Sequence, residues 1–438
     1  MQGISFLDEF KIRFETGITG NQGNTSWFGP LNPSATPWGK GFRQGRYSNP
    51  ELQWEETHTN NLGFNLNVFN NRIQLEGDFY IKNTDNLILD APLPIFLGTN
   101  GTGAINPPPI NVGALENRGM SFSVQTINVD RGNFIWSMNA NFSMVRTKLT
   151  EIYSGADFIP PRVPWYIGDT GSGNNWEQRS AVGKAPWLFR GYLFDGLFQS
   201  VEDAQNSPVP ADNNGNRLAI SEDNVWVGDI KFKDLNGDGI INEQDKTDIG
   251  NPWPKGTYGL TNSFSYKGFD LSVLLIGVYG NDVYNLIRFD NTNPNNINLG
   301  RNLMEETFKY ARLQGEGEGV TLANPETYIP RISPNSTNGN RLRFTDQFVE
   351  KGTYLRVKNI QLSYSLPRRI LSTQNVLRGA RLTVGAQNIY TFTNYSGYDP
   401  EVGAYVGNNA ASDNAPIGLD YGRYPLTPVY TFSVEVDF

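Results

Sequence analysis

The last nine residues, Tyr430 to Phe438, restrict the fold most sharply. Tyr430, Phe432, Val434, Val436 and Phe438 are apolar, Thr431, Ser433, Glu435 and Asp437 are polar, and the alternation runs unbroken to the terminal carboxylate. A period of two is a strand with one oily and one wet face. The last strand of a soluble sandwich has this pattern too. An aromatic as the final residue is instead the habit of bacterial outer-membrane barrels, whose closing strand is read by the insertion machinery. The expected fold class is therefore all-β, an antiparallel transmembrane β-barrel.

Composition agrees. Of 438 residues 20 are Tyr and 26 Phe, and only 18% are charged, against roughly 25% in an average soluble domain. No window approaches the ~18 consecutive apolar residues of a membrane helix, so a membrane role falls to strands. A mean hydropathy of -0.45 is compatible with that, because barrel strands give half their residues to a polar lumen. The net charge of -8 and pI near 5.0 exclude nucleic acid as a partner, which would need a basic stripe. With no cysteine, disulfides, metal thiolates and thiol catalysis are removed together.

Alternating segments recur along the chain. Phe10, Ile12, Phe14 and Ile18 alternate with polar residues up to Gly20-Asn21-Gln22-Gly23. Leu62 to Val68 and Ile73 to Ile81 flank Asn70-Asn71, a tight hairpin turn. Met120 to Thr126 and Phe134 to Phe142 flank Asp130-Arg131-Gly132, Gly259 to Tyr266 and Phe269 to Leu275 flank Lys267-Gly268, and Tyr354 to Leu366 pairs with Ala380 to Phe392. Hairpin turns are short and the links between hairpins long, the asymmetry of a barrel with short periplasmic turns and long outer loops. Counting back from Phe438 gives ten spans; Leu188 to Phe198 with Val225 to Lys233 add another hairpin or lie in an outer loop. Loops this long belong to larger barrels. About 10 to 12 strands therefore read as the C-terminal half of one, with long extracellular loops. Met1-Gln2-Gly3-Ile4 opens no basic segment and no apolar h-region. The expectation is a chain that begins partway through a longer one.

Three segments stand out in order along the chain. The first is Gly228 to Gly239 with Asp245, Ile249-Gly250-Asn251-Pro252 and Tyr258-Gly259; the second is Tyr354 to Ile360 with Leu362 to Pro367. The third is Gln387 to Thr391, Tyr395 to Glu401 and Tyr424-Pro425 before the terminal strand. Together they resemble the C-terminal barrel region of SusC/RagA-type TonB-dependent transporters of the Bacteroidota, and Thr16 to Gln22 matches a strand end of that family. The resemblance covers nearly the whole chain, so residues 1–438 read as barrel region and 149–255 as a long extracellular loop region. It implies an N-terminal plug and a TonB-contacting segment outside this sequence, and the rest of a roughly 22-stranded barrel. It further implies TonB-dependent nutrient uptake across the cell outer membrane. Glycan or peptide would be the substrate, with a SusD-like surface lipoprotein, the TonB complex and outer-membrane lipid as partners.

One stretch carries metal chemistry. Asp234, Asn236, Asp238, Gly239, Ile240, Asn242 and Asp245 spell D-x-N-x-D-G-I-x-N-x-x-D. In EF-hand-like loops, oxygens of the first, third, fifth and twelfth side chains and the seventh carbonyl surround Ca²⁺, with Gly sixth for the turn. The candidate ligands over 234–245 are thus Asp234, Asn236, Asp238, Ile240 and Asp245, binding a structural Ca²⁺. Asp245 replaces the usual longer Glu, and no helix pattern flanks the loop; an Asx-rich turn without an ion is the plainer alternative. Trp27, Trp38, Trp165, Tyr166, Trp176 and Trp187 could stack on sugars or pack on peptides, or belong to interface girdles. No substrate-binding residue follows from the sequence. His58, the lone histidine, sits on a strand without a catalytic partner, and Gly315-Glu316-Gly317-Glu318-Gly319 is too acidic for a phosphate loop. No residue is expected to be catalytic. The second reading is a soluble or cell-surface β-rich, Ca²⁺-dependent glycan-binding module, and an enzyme comes third.

Overall fold

A computed structural model of the protein describes residues 6–23, 28–36, 38–90, 97, 105–152, 158–159, 178–212, 214–333, 337–340, 343–371, 377–403 and 417–438. The chain divides into two compact units. One comprises Met1–Ile159, Ser180–Pro186 and Tyr258–Lys267, the other Pro160–Arg179, Trp187–Thr257 and Gly268–Phe438.

The first unit is an antiparallel meander. Its strands are β1 (Leu7–Asn21), β2 (Glu55–Val68), β3 (Ile73–Asp85), β4 (Ala114–Arg131), β5 (Phe134–Glu151) and, from Tyr258 onward, β6 (Gly256–Tyr266). Each lies beside its sequence neighbour. The second unit repeats the pattern with β7 (Phe269–Tyr279), β8 (Tyr354–Ser365), β9 (Gly379–Thr393) and β10 (Val429–Asp437). The terminal alternation is thus a strand, and the wall strands among the described residues number ten.

Turn chemistry decides where the meander reverses. Phe69, Asn70 and Asn71 are all left-handed, at φ 58, 58 and 59, a conformation Asn tolerates better than most residues. Lys267 and Gly268 carry φ of 49 and 89, the two positive values that a two-residue hairpin of the right twist requires. In the first unit these turns share an end. Ile73 faces Thr126, the Ile127 N–H donates to the Arg72 carbonyl, and the Phe134 and Tyr266 rings lie 6.4 Å apart. In the second unit Phe269 faces Tyr364 and Gly379 faces Asp437, so the 366–378 connection and the final residue also share an end. The long links over 22–54, 86–113, 280–353 and 394–428 leave from the other end.

Two places complete the sequence outline. β2 runs from Glu55 and so joins the strand residues around His58 to the alternation from Leu62, although Thr57, Thr59 and Asn60 carry no oily alternation. Leu188–Gly191, Phe194–Leu197 and Ile230–Phe232 are short strands of a loop body and not wall strands. Their apolar residues serve a local core of Tyr192, Leu197, Val201, Val227, Ile230 and Phe232, which is why they read as a hairpin.

Candidate functional site: a two-faced wall and its anchored loops

Residues directly opposite in an antiparallel pair share a face, so the register identifies what each face presents. Across the first unit one row reads Ile12, Phe64, Gly77, Phe122 and Phe142, with Phe14, Leu62, Phe79, Met120 and Met144 beside it. The rows on the opposite face read Lys11, Asn65, Glu76, Ser123 and Asn141, then Arg13, Gly63, Asp78, Ser121 and Ser143. The second unit does likewise: Leu271, Leu362, Val384 and Phe432 oppose Asp270, Ser363, Thr383 and Ser433.

The two faces live in different solvents. Ile12 is 64% exposed, Phe14 70% and Phe432 71%; placing one such side chain in an apolar medium is worth about 1.5 to 3 kcal/mol. A continuous oily face of this kind needs lipid beside it. On the polar side Arg13 Nη2 lies 3.1 Å from both Glu76 and Asp78, a charge arrangement that needs water or protein. Gly77 sits among large rings for a steric reason: a Cβ there would meet Phe64 at 2.4 Å and Phe122 at 3.1 Å.

Aromatic pairs bracket the oily face. In the first unit Phe6 and Phe69 (5.8 Å) and Phe134 and Tyr266 lie at its short-turn end; in the second unit Phe269 and Tyr364 (4.3 Å) and Phe438 lie at its own short-turn end. Toward the long links, Tyr390 meets Phe392 at 4.7 Å, and Trp54 lies over Gly20, whose missing Cβ would meet it at 2.9 Å. The residues from Tyr430 to Phe438 match in number the roughly 9 to 11 of a tilted transmembrane β-strand.

The described loop segments of the second unit that carry Asp229, Arg331 and Asp399 are tied down by buried polar bonds. Asp229 receives Arg331 Nε at 2.8 Å, the Asn340 amide at 2.7 Å and the Trp226 N–H at 2.9 Å; burial pushes its carboxyl up from the usual range even so. Desolvation raises the Tyr192 hydroxyl to about 12. Arg356, on the polar face of β8 and only 1% exposed, donates to Asp399 (2.6 Å), Glu401 (2.5 Å) and Thr391 (2.8 Å). Burial pushes Asp399 up, but the Glu401 N–H, the Arg356 guanidinium and the Leu426 N–H outweigh it and hold the carboxyl below its usual range. Sequence reasoning quoted Arg356, Asp399 and Glu401 without giving them a role. The available signal was a lone Arg at a lumen-facing position followed by a rigid Asp-Pro-Glu.

The Asp234 to Asp245 loop is compact. Asp234 accepts from the Gly237 and Gly239 N–H groups (2.6 and 2.8 Å), Asp238 from Ile240 N (2.8 Å), and fully buried Asp245 from Leu235 N and Asn242 N (2.9 and 2.8 Å). Asn236 donates to Asp238 and Gln244. Gly237 and Gly239 take φ of 77 and 80, which side-chain-bearing residues rarely adopt. Slight burial raises the Asp234 carboxyl, and the Gly239 and Gly237 N–H groups then pull it below the usual range. Among the described residues no three carboxylate, imidazole or thiol groups form a ready metal cage.

Of the loop aromatics, Trp38 is 93% exposed and Trp187 holds a left-handed φ of 61. Trp27, Trp165, Tyr166 and Trp176 lie outside the described residues. His58 faces Ile18 and Asn83 on neighbouring strands, and Gly317–Gly319 is a 3-10 turn in an exposed loop.

Comparison with known proteins places this geometry. No family model matches the chain. TonB-dependent receptor P26 of Formosa agariphila is 32% identical over 444 residues, covering 100% of this chain and 41% of the receptor. TonB-dependent receptor SusC of Bacteroides thetaiotaomicron is 27% identical over 453 residues, covering 100% and 38%. The chain thus spans about two fifths of the length of these relatives. Among solved structures, the RagAB peptide transporter superposes over 100% of this chain and 42% of its own at a TM-score of 0.73, with 23% identity. The two-faced, girdled wall and these relatives agree on a class: an antiparallel β-barrel wall of the outer membrane, similar over its whole length to the part of the TonB-dependent receptors that it covers. Within that class the chain is similar to the SusC/RagA type, as a partial match to those proteins.

Proposed function

We propose that this chain supplies barrel wall and outer loops to an energy-coupled nutrient importer. That importer takes up a glycan or a peptide, works with a SusD-like surface lipoprotein and couples to TonB through a segment outside this sequence. The observation that carries the reading is the register: an unbroken oily face stands directly behind a charged, hydrogen-bonding face, as a wall between lipid and an aqueous lumen requires. A soluble binding module has no use for rows of exposed Phe and Ile. The relatives named above are receptors and a peptide transporter, which favours transport over catalysis. Deleting the gene should abolish growth on one glycan or peptide source and leave growth on glucose or free amino acids intact. Hydrolysis of a glycan or peptide by the purified protein would overturn the reading.

We further propose that the 234–245 loop holds a structural Ca²⁺. Its donor set would join the carboxylates of Asp234, Asp238 and Asp245 to the Asn236 amide and the Ile240 carbonyl, all hard oxygens suited to that ion. The glycine-permitted turn, with Gly237 and Gly239 at positive φ, supports it. Calorimetry on the intact transporter should show one Ca²⁺ site that Asp238→Ala weakens at least tenfold; equal binding by wild type and variant would sink the assignment.

A further inference from the structure

Arg356 stands on the polar face of β8, and it is buried because chain lies over it: Asp399 and Glu401 reach it from the segment after β9. A side chain on that face is covered only from the lumen side, so residues 395–403 cross in front of the wall instead of rising straight from its rim. A second segment is joined to the first. The Tyr395 hydroxyl donates to Asp420 at 2.6 Å, Arg423 Nη1 to the Glu401 carbonyl at 2.9 Å, and the Leu426 N–H to Asp399 at 3.3 Å. The side-chain amide of buried Gln178 holds the same segment at Ile417, donating to its carbonyl at 2.7 Å and accepting its N–H at 3.1 Å. Together the two segments make a fixed shelf.

The shelf uses its backbone donors internally. The Ser396 N–H goes to Glu350, the Glu401 N–H to Asp399, and those of Gly422 and Arg423 to Asp420. A Cβ on Gly397 would meet the Tyr395 ring at 2.5 Å, so the backbone leading into Tyr398 is closely packed. What the shelf turns to solvent is side chain: Tyr398 is 67% exposed, and Glu401 and Arg423 are exposed as well.

This surface discriminates between ligand classes. A peptide is read through main-chain bonds to a free strand edge, which a backbone bonded to its own side chains does not offer. A sugar ring has an apolar C–H face rimmed by hydroxyls, matched by an exposed aromatic face beside planar charged donors and acceptors. We propose that Tyr398, Glu401 and Arg423 form a sugar-binding subsite on the lumen side of the wall, the ring stacked on Tyr398 and its hydroxyls bonded by the other two. The proposal rests on the transport reading and deepens it, naming a glycan as the substrate and this shelf as a place where it is held.

The test offers the full-length transporter in detergent an array of linear neutral and acidic oligosaccharides and, separately, a tryptic digest of casein, with binding read by native mass spectrometry. At least one oligosaccharide should bind. Tyr398→Ala and Arg423→Gln should each weaken it about tenfold, while Tyr398→Trp keeps it and Tyr390→Ala, on the oily face, changes nothing. Binding of casein peptides in place of oligosaccharides, binding of no oligosaccharide, or oligosaccharide affinity unchanged in Tyr398→Ala and Arg423→Gln overturns the subsite. The transport reading fails separately, if deleting the gene leaves growth on the bound glycan intact while these variants still lose affinity for it.

Discussion

At the residue scale the most consequential side chain is Arg356. Its guanidinium is almost wholly buried and meets two carboxylates of the segment after β9, so removing it strands Asp399 without a counter-charge. Breaking a buried pair in this way costs about 3 to 5 kcal/mol. Arg356→Ala should therefore raise hydrogen exchange over 395–403 while protection of β8 and β9 persists. The pH dependence follows from the depressed Asp399 carboxyl. A group with a lowered folded pKa contributes stability that is complete above its unfolded value, near 3.9, and is lost as pH falls through the folded one. Protection of 395–403, corrected for intrinsic exchange rates, should be flat between pH 5 and 8 and fall only below about pH 4. Loss of protection already at pH 6 would show that another group governs the tether.

At the element scale the terminal strand has a defined task. β10 pairs with β9 from Gly379 opposite Asp437 to Gln387 opposite Val429, and its apolar residues continue the rows of Leu382 and Val384. Removing Val436 to Phe438 from the full-length protein should abolish outer-membrane insertion and leave synthesis intact, scored by fractionation and heat-modifiable gel mobility. Normal insertion of the truncated protein would remove that role. The ten wall strands were legible in the sequence because each separates two solvents, and a period of two records that separation residue by residue. The loop bodies were not, because their order rests on distant partners: Asp229 meets Arg331 across 102 positions and Asn340 across 111. No local periodicity encodes such a pair. The 234–245 loop was legible as a tight, glycine-dependent turn, since its hydrogen bonds are local.

At the scale of the whole molecule, the separation of turns from loops gives a direct topological test. This chain contains no cysteine, so a single cysteine introduced into it has no competing thiol within the segment, and the unsubstituted transporter serves as the labelling background. Trp38→Cys and Glu318→Cys, both in long links, should react with a membrane-impermeant maleimide on intact cells. Lys267→Cys, in a short turn, should react only after the outer membrane is permeabilised. Labelling of Lys267→Cys on intact cells would reverse the assigned orientation.

The short turns also bear on how such proteins diversify. Lys267 and Gly268 are the whole connection between β6 and β7, and their two positive φ values leave no slack. An inserted residue there would slip the register and turn every oily side chain toward water. The opposite end is built differently, since the segments over 188–232 and 311–322 close on a core of their own around Tyr192 and Phe232. Such a body can be traded between genes as a finished part without re-registering any wall strand. Recombination among related genes should therefore leave its junctions on one side of the membrane, and recognition of new nutrients should be acquired by exchanging cassettes while the wall is inherited.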